Sequence, residues 1–368
     1  MKEINYTIDN INHKVLINND IIANILKDIL NLKSDRKILF IYDKNINNQL
    51  IKNLNEELKT TGCKIFSIKV KGGRENKNTK FLFKIIDILS ENQFTKKSII
   101  ISFGGGVVGD VCGLISSLYM RGLIYFHVPS TMMAIMDSCL GGKNAINYKN
   151  RINLLGTYYH PLRVYISAEV INQIPDKEFF SGFSEAIKCG IIYDNKILKL
   201  LKEKENSIIK RKYKDIELLI YMVLKTKLNF FIDDIRENNK RLMLNFGHTF
   251  AHAIESTGDL FFKNFDTNHG QAVAVGILCE MMYAKVNNNF IEEIKSLFIK
   301  YNLPVVIDLK KKKFLINFQK KVFENLYLDK KKISRYPRYI HIEKQGKPKI
   351  GFLKNNNLIE KILLKSII

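Results

Sequence analysis

SIIISFGGGVVGDVCG, residues 98–113, joins an unbroken apolar run to a cluster of glycines and then to a segment with helical spacing. The apolar run reads as a strand buried on both faces, the setting of a parallel sheet covered by helices. Gly104, Gly106 and Gly109 satisfy G-x-G-x-x-G. Glycines in such a turn let the backbone approach a pyrophosphate, and the following helix offers unpaired N–H groups and the positive end of its dipole. A tight turn with no ligand would show the same glycines, and this strand is not the first of its domain, so the motif alone is weak.

The neighbouring segments repeat the alternation. KILFIYD (37–43), CKIFSIKV (63–70) and LIYFHVPS (123–130) read as strands, while NNQLIKNLNEELKTTG (47–62), ended by Gly62, and TKFLFKIIDILSEN (79–92) read as helices. This predicts an α/β domain with a parallel, Rossmann-like sheet over residues 1–168. The first 36 residues carry no motif and are expected to add an edge strand pair and a helix. Asp43 ends an early strand. A carboxylate there would accept from a ribose hydroxyl and favour NAD over NADP, and would equally serve as a helix N-cap.

From about residue 169 the periodicity becomes helical, in DKEFFSGFSEAIKCGIIY, DIELLIYMVLKTKLNFFIDD, GHTFAHAIEST and GQAVAVGILCEMMYAKV. Strand signals return only in RYIHIEK and KPKIGFL near the end. Residues 169–368 are therefore expected to form a mainly α-helical domain. The lysine runs at 310–313 and 330–332 read as exposed loop or helix-end charge.

A length of 368 residues suits two domains, and no apolar run approaches the roughly 20 residues that span a bilayer. The polar N-terminus lacks a signal-peptide core, so the expected location is the cytoplasm, with no membrane partner. Five cysteines are scattered without a CxxC pair and read as reduced, buried residues. The net charge of +23 comes from lysines spread along the chain, with no zinc finger, RNP motif or compact basic helix to indicate a nucleic-acid partner. A positive field suits an anionic small substrate.

The second half also gathers ligand-type side chains. Glu185 and Lys188 lie three apart, and His248 and His252 four apart, each pair on one helix face. His269 precedes a further helix. One carboxylate with two imidazoles is a recognised catalytic zinc set, but single histidines in apolar segments are commonly hydrogen-bonded core groups, and spacing leaves both readings open. Asp137, Lys143, Arg241 and Asn245 sit among small or apolar residues, which suits a phosphorylated or carboxylated ligand.

Taken in order, GGGVVGD (104–110), YMRG (119–122), VPSTMMAIMDSCLGGK (128–143), SGFSEAIKCGII (181–192), LNFGHTFAHAIE (244–255) and NHGQAVAVG (268–276) resemble the 3-dehydroquinate synthase family over nearly the whole chain. The resemblance implies a carbon–oxygen lyase of the shikimate pathway that turns 3-deoxy-D-arabino-heptulosonate 7-phosphate into 3-dehydroquinate and phosphate. It implies NAD and a divalent metal, zinc with cobalt as the alternative, and a homodimer. Matched residue by residue, the metal ligands are Glu185, His248 and His269. His252, Lys143, Asp137, Lys188, Glu237 and Asn245 fall at catalytic positions, and Arg121, Asn153, Lys227, Arg241 and Lys347 at substrate positions. The cofactor positions are Asp43, Lys77, Gly104, Gly105, Gly106, Val107, Gly109, Asp110, Ser130 and Thr131, with Asp137 and Lys143 shared.

Two positions depart from the family pattern. Ile152 stands where the family has a lysine, so that Lys149 or Arg151 takes its place or one cation is missing. Arg74 stands where the family has a glutamate near the adenine ribose, with Lys77 kept, and arginine tolerates a 2′-phosphate. Two other activities stay open: another sugar-phosphate cyclase of the same fold, and a metal-dependent polyol dehydrogenase, which shares the glycine turn and the helical metal domain.

Overall fold

The computed structural model describes residues 2–32, 34–149, 151–262, 265–327 and 336–368. The lysine run at 330–332 lies outside them. The chain forms two compact units, Met1–Pro175 and Asp176–Ile368.

The first unit is built on a seven-stranded sheet. Its strands are β1 (Lys2–Ile8), β2 (Ile11–Asn18), β3 (Lys37–Asp43), β4 (Lys64–Val70), β5 (Ile99–Gly104), β6 (Ile124–Pro129) and β9 (Arg163–Ser167), in the order β1-β2-β9-β6-β5-β3-β4. Only β1–β2 is antiparallel. Four helices cover it: α1 (Ile21–Asn31), α2 (Asn48–Thr60), α3 (Thr79–Glu91) and α4 (Gly106–Leu118). Alternate strand residues serve opposite faces, as the two-residue period requires. Ile38, Phe40, Ile99, Ile101 and Phe103 pack with Ile25, Leu54 and Leu58 of α1 and α2. Leu39, Ile41 and Ile100 pack with Ile85, Leu89, Val111 and Ile115 of α3 and α4.

A separate hairpin, β7 (Lys143–Tyr148) with β8 (Arg151–Tyr158), packs on α4. β8 leaves Ile152, Leu154, Leu155 and Tyr158 exposed. A short helix, α5 (Ala168–Gln173), ends the unit, so the expected division at 168/169 falls at its first residue.

The second unit is mainly helical: α6 (Asp176–Ser181), α7 (Phe183–Ile192), α8 (Asn195–Glu203), α9 (Glu205–Ile209), α10 (Tyr213–Phe231), α11 (His248–Phe261), α12 (His269–Tyr283), α13 (Asn288–Lys300), α14 (Leu315–Leu326) and α15 (Asn356–Ser366). One antiparallel hairpin, β10 (Arg338–Ile342) and β11 (Pro348–Phe352), joins them. All ten residues of α7 are buried. Among the described residues no helix is long and apolar enough to cross a membrane. All five cysteines are free, and all but Cys63 are buried.

Beneath α4 lies a buried polar group. His127 of β6 shares a hydrogen bond with Ser102 Oγ through Nδ1 at 2.8 Å, Ser102 Oγ meets Tyr125 Oη at 2.9 Å, and Tyr125 donates to the Gly109 carbonyl. Burial pushes the His127 imidazole down to about 4, against the opposing pull of Ser102. A histidine in an unfolded chain titrates near ~6.5, so folding favours the neutral ring. Its contribution is full above that pH and is lost as pH falls through about 4. Unfolding free energies of wild type and His127→Gln, compared at pH 7 and pH 4, should show wild type losing more, by on the order of 3 kcal/mol. Equal losses would contradict the reading.

Candidate functional site

Strand order places the first candidate region. β3 connects outward to β4, and the chain then crosses back to β5 on the other side of β3. Ligands of such sheets bind beyond the strand C-termini at this reversal. Tyr42 pairs with Phe103, so Asp43 at the end of β3 lies beside Gly104 at the end of β5. The Asp43 carboxylate accepts from Asn45 N at 2.9 Å, and a Cβ on Gly72 would stand 1.9 Å from its Oδ2. Asp43 thus caps a turn and also faces the reversal point.

The glycine turn fits a phosphate cradle. Gly105 is the N-cap of α4 and supplies no side chain to its first N–H groups. A Cβ on Gly109 would meet the His127 ring at 2.9 Å, so glycine there sets how closely α4 packs on β6. Val107 lies in the first turn of α4, between these glycines. The segment after β6 folds back against the turn: Ser130 N donates to Gly104 O at 2.9 Å, and Thr131 Cγ2 would lie 3.0 Å from a Cβ on Gly105. Asp137 follows in a one-turn π-helical segment, Ala134–Ser138. Lys77 Nζ reaches Asp110 Oδ2 at 2.5 Å. Burial raises the Asp110 carboxyl above its ordinary value; Lys77 opposes this and Asp137 adds to it. Arg74 opens the turn Arg74–Asn76, and its side chain lies outside the described atoms.

Other expected residues of this unit lie elsewhere. Arg121 ends the turn that follows α4, exposed. A 13-residue helix is about 20 Å long, so Arg121 stands at the opposite end of the strands from the glycine turn. Lys143 begins β7, whereas Ile152 and Asn153 lie near the other end of the hairpin, where Asn153 N donates to Asn147 Oδ1 at 3.0 Å.

The second region gathers in the second unit. α11 starts at Gly247, whose φ is +82° and whose Cβ would stand 2.5 Å from Ile277 Cγ1. A Cβ on Gly276 of α12 would meet Gly247 O at 2.1 Å. The two helices therefore cross with almost no side chain between them. Gly270 lies as close to Ser181 O at the end of α6. These approaches bring Glu185 of α7, His248 of α11 and His269 of α12 together, with one potential donor atom from each inside a 4.8 Å span.

Hydrogen bonds orient the rings. His248 Nδ1 is 3.2 Å from Phe246 O, leaving Nε2 at 3.7 Å from Glu185 Oε1. His269 Nδ1 is 3.1 Å from Glu255 Oε2. Metal-binding histidines commonly hold such an acceptor on the second nitrogen. Glu185 is fully buried; Lys188 Nζ pairs with its Oε2 and also donates to Leu244 O at 2.7 Å. The donor set fits a divalent metal held by two imidazoles and a carboxylate.

His252 is exposed, with its ring 5.4 Å from that of His248 and 6.3 Å from that of His269. A pocket in this unit is lined by Asn245, His248, Thr249, His252, Tyr336 and Arg338, among others. Asn245 Nδ2 donates to Glu237 Oε1 at 2.6 Å. Arg241 is buried, with Nη1 bonded to Ile235 O at 2.6 Å and its backbone N to Asp234 Oδ2 at 2.9 Å. Lys227 is buried on α10, which packs on α7. Lys347 lies in the β10–β11 turn, which Gly346 N ties to Ile191 O of α7 at 2.9 Å. Lys227, Arg241 and Lys347 do not line the pocket.

Sequence reasoning gave no role to Glu255 or Arg338. Glu255 follows His248 by seven residues and so shares its helix face, a signal that was present. Arg338 carries no such signal; it reaches the pocket because β10 packs beside α11.

The chain is similar to known families and structures. Residues 67–181 match the family described as 3-dehydroquinate synthase N-terminal, and residues 182–332 match 3-dehydroquinate synthase C-terminal. A 3-dehydroquinate synthase of Clostridium kluyveri is 34% identical over 359 residues, 96% of each chain. A 2-epi-5-epi-valiolone synthase from Streptomyces hygroscopicus subsp. jinggangensis, solved with NAD+ and Zn2+ bound, superposes with a TM-score of 0.85 at 19% identity, covering 98% of each chain. A 2-deoxy-scyllo-inosose synthase complexed with carbaglucose-6-phosphate, NAD+ and Co2+ gives a TM-score of 0.84 at 21% identity, covering 99% of this chain and all of the other. With the paired domain matches and an identity of this size over almost the full length, the chain belongs to the 3-dehydroquinate synthase family.

Proposed function

We propose that the chain carries out its family's reaction, converting 3-deoxy-D-arabino-heptulosonate 7-phosphate into 3-dehydroquinate and phosphate. The observation that carries this is the Glu185–His248–His269 donor set, in a chain whose other unit presents a glycine turn at the sheet's reversal point. When bound, NAD would supply a reversible hydride acceptor and the metal a polarising charge at the reacting oxygen. A carboxylate with two imidazoles suits zinc, with cobalt as the alternative, and the structural relatives hold NAD+ with one or the other.

The chain's own residues then bind, orient and move protons. Gly104, Gly105, Gly106, Val107 and Gly109 receive the pyrophosphate, and Asp43 accepts from a ribose hydroxyl. Lys77, Asp110, Ser130 and Thr131 support that turn, and Asp137 and Lys143 serve it and the reacting end. His252, exposed beside His248, moves the proton of the substrate hydroxyl. Lys188 balances Glu185. The Asn245–Glu237 pair orients the substrate. Arg121, Asn153, Lys227, Arg241 and Lys347 supply cations and an amide for carboxylate and phosphate. The reading includes a homodimer, supported by the exposed Ile152, Leu154, Leu155 and Tyr158 of β8.

Ile152 favours one second reading, a cyclase of the same fold that takes a different sugar phosphate. It stands 45% exposed where the resemblance expects a lysine. Purified protein supplied with the heptulosonate phosphate, NAD and zinc should release one phosphate for each dehydroquinate formed, with no net NADH. Phosphate release without dehydroquinate, accumulating NADH, or no turnover would overturn the proposal. Ile152→Lys should raise kcat/KM several-fold if a cation is missing; an unchanged value would show that another cation fills the place.

A further inference from the structure

Glu280 has no role in the reading above. It is the one charged residue between Gly270 and Ala284, in an otherwise apolar helix, and it is fully buried. Burial pushes its carboxyl up to about 8, against the pull of backbone donors at Gly247, Ile340 and Thr249. A buried acid is costly where an apolar side chain would pack, so its retention asks for a geometric reason.

Its contacts supply one. Glu280 Oε1 accepts from Thr249 N at 3.3 Å, and the nearby Gly247 N–H pulls its carboxyl down. These N–H groups open α11, whose N-cap is a glycine without a capping side chain. Glu280 therefore caps α11 from α12, at the positive end of the helix dipole. Its Oε2 accepts from Ile340 N of β10 at 3.1 Å, and Thr249 Oγ1 donates to Arg338 O at 2.8 Å. One carboxylate thus joins the turn that presents His248 to the strand that lines the other side of the same pocket.

We propose that Glu280 is a positioning residue: by fixing the start of α11 against β10 it sets the place of His248, and one turn later of His252, relative to Glu185 and His269. The proposal rests on the metal-site reading above. Glu280 is fully buried and does not line the pocket, so its loss acts through His248.

Cobalt titration of the purified chain, followed by visible absorption, tests this alongside cooperative thermal unfolding as a check on folding. Glu280→Ala should weaken Co2+ binding by about 10- to 100-fold, the range for groups that orient metal ligands, and should alter the bound spectrum. Glu280→Gln keeps the shape and one acceptor oxygen, so it should fold even if the alanine variant does not, and should fall between wild type and Ala. Wild-type Co2+ affinity and spectrum in folded Glu280→Gln and Glu280→Ala, with only the unfolding temperature lowered, would make the role purely structural and overturn the proposal. If wild type itself takes up no Co2+, the metal-site reading falls and the proposal with it.

Discussion

A carboxylate held wholly out of water must be met by positive charge, and Glu185 sets that demand for the second unit. Lys188 meets one of its oxygens, and the imidazoles of His248 and His269 stand at the other side. A divalent cation among the three donors would answer the rest of that need directly. The surrounding structure exists to make this meeting possible. Gly247 and Gly276 let α11 and α12 cross in near-backbone contact, Gly270 presses the start of α12 on α6, and Glu255 turns the His269 ring. A side chain larger than hydrogen at Gly276 would collide with the turn before His248 and displace it.

The first unit follows a different rule. Its constraint is topological: the chain reverses direction across the sheet between β3 and β5, and the strand ends there leave room for a ligand. Asp43 and Gly104 fall on the two sides of that reversal because of strand register alone. Gly109 adds packing, since the His127 ring occupies the space where its side chain would stand. The Ser102–Tyr125–His127 group beneath it shows that the strand under the turn is held by polar contacts as well as apolar burial.

Much of this was legible in the residues. The strands at 37–43, 63–70 and 99–104 announce themselves because burial on both faces demands continuous apolar runs. The hairpin β7–β8 and strand β9 do not. Nearly all of RINLLGTY faces solvent, so it shows no alternation, and RVYIS is too short to separate from a buried turn. Spacing alone did not join the three donors, since Glu185 and His269 are 84 positions apart and only packing brings them together; the ordered family motifs named them. Arg121 was named by a motif alone, and the fold holds it an α-helix length from the glycine turn. Glu255 carried only its place on the helix face of His248, and Glu280 carried no local signal; their partners come from other helices and a strand.

The central claim is that Glu185, His248 and His269 hold one divalent metal. Zinc content and zinc K-edge absorption of the purified chain test it most directly. The account predicts one zinc per chain with only nitrogen and oxygen neighbours, including two imidazoles, and loss of that zinc in His269→Ala. Full zinc occupancy in His269→Ala, or a sulfur neighbour in wild type, would contradict it.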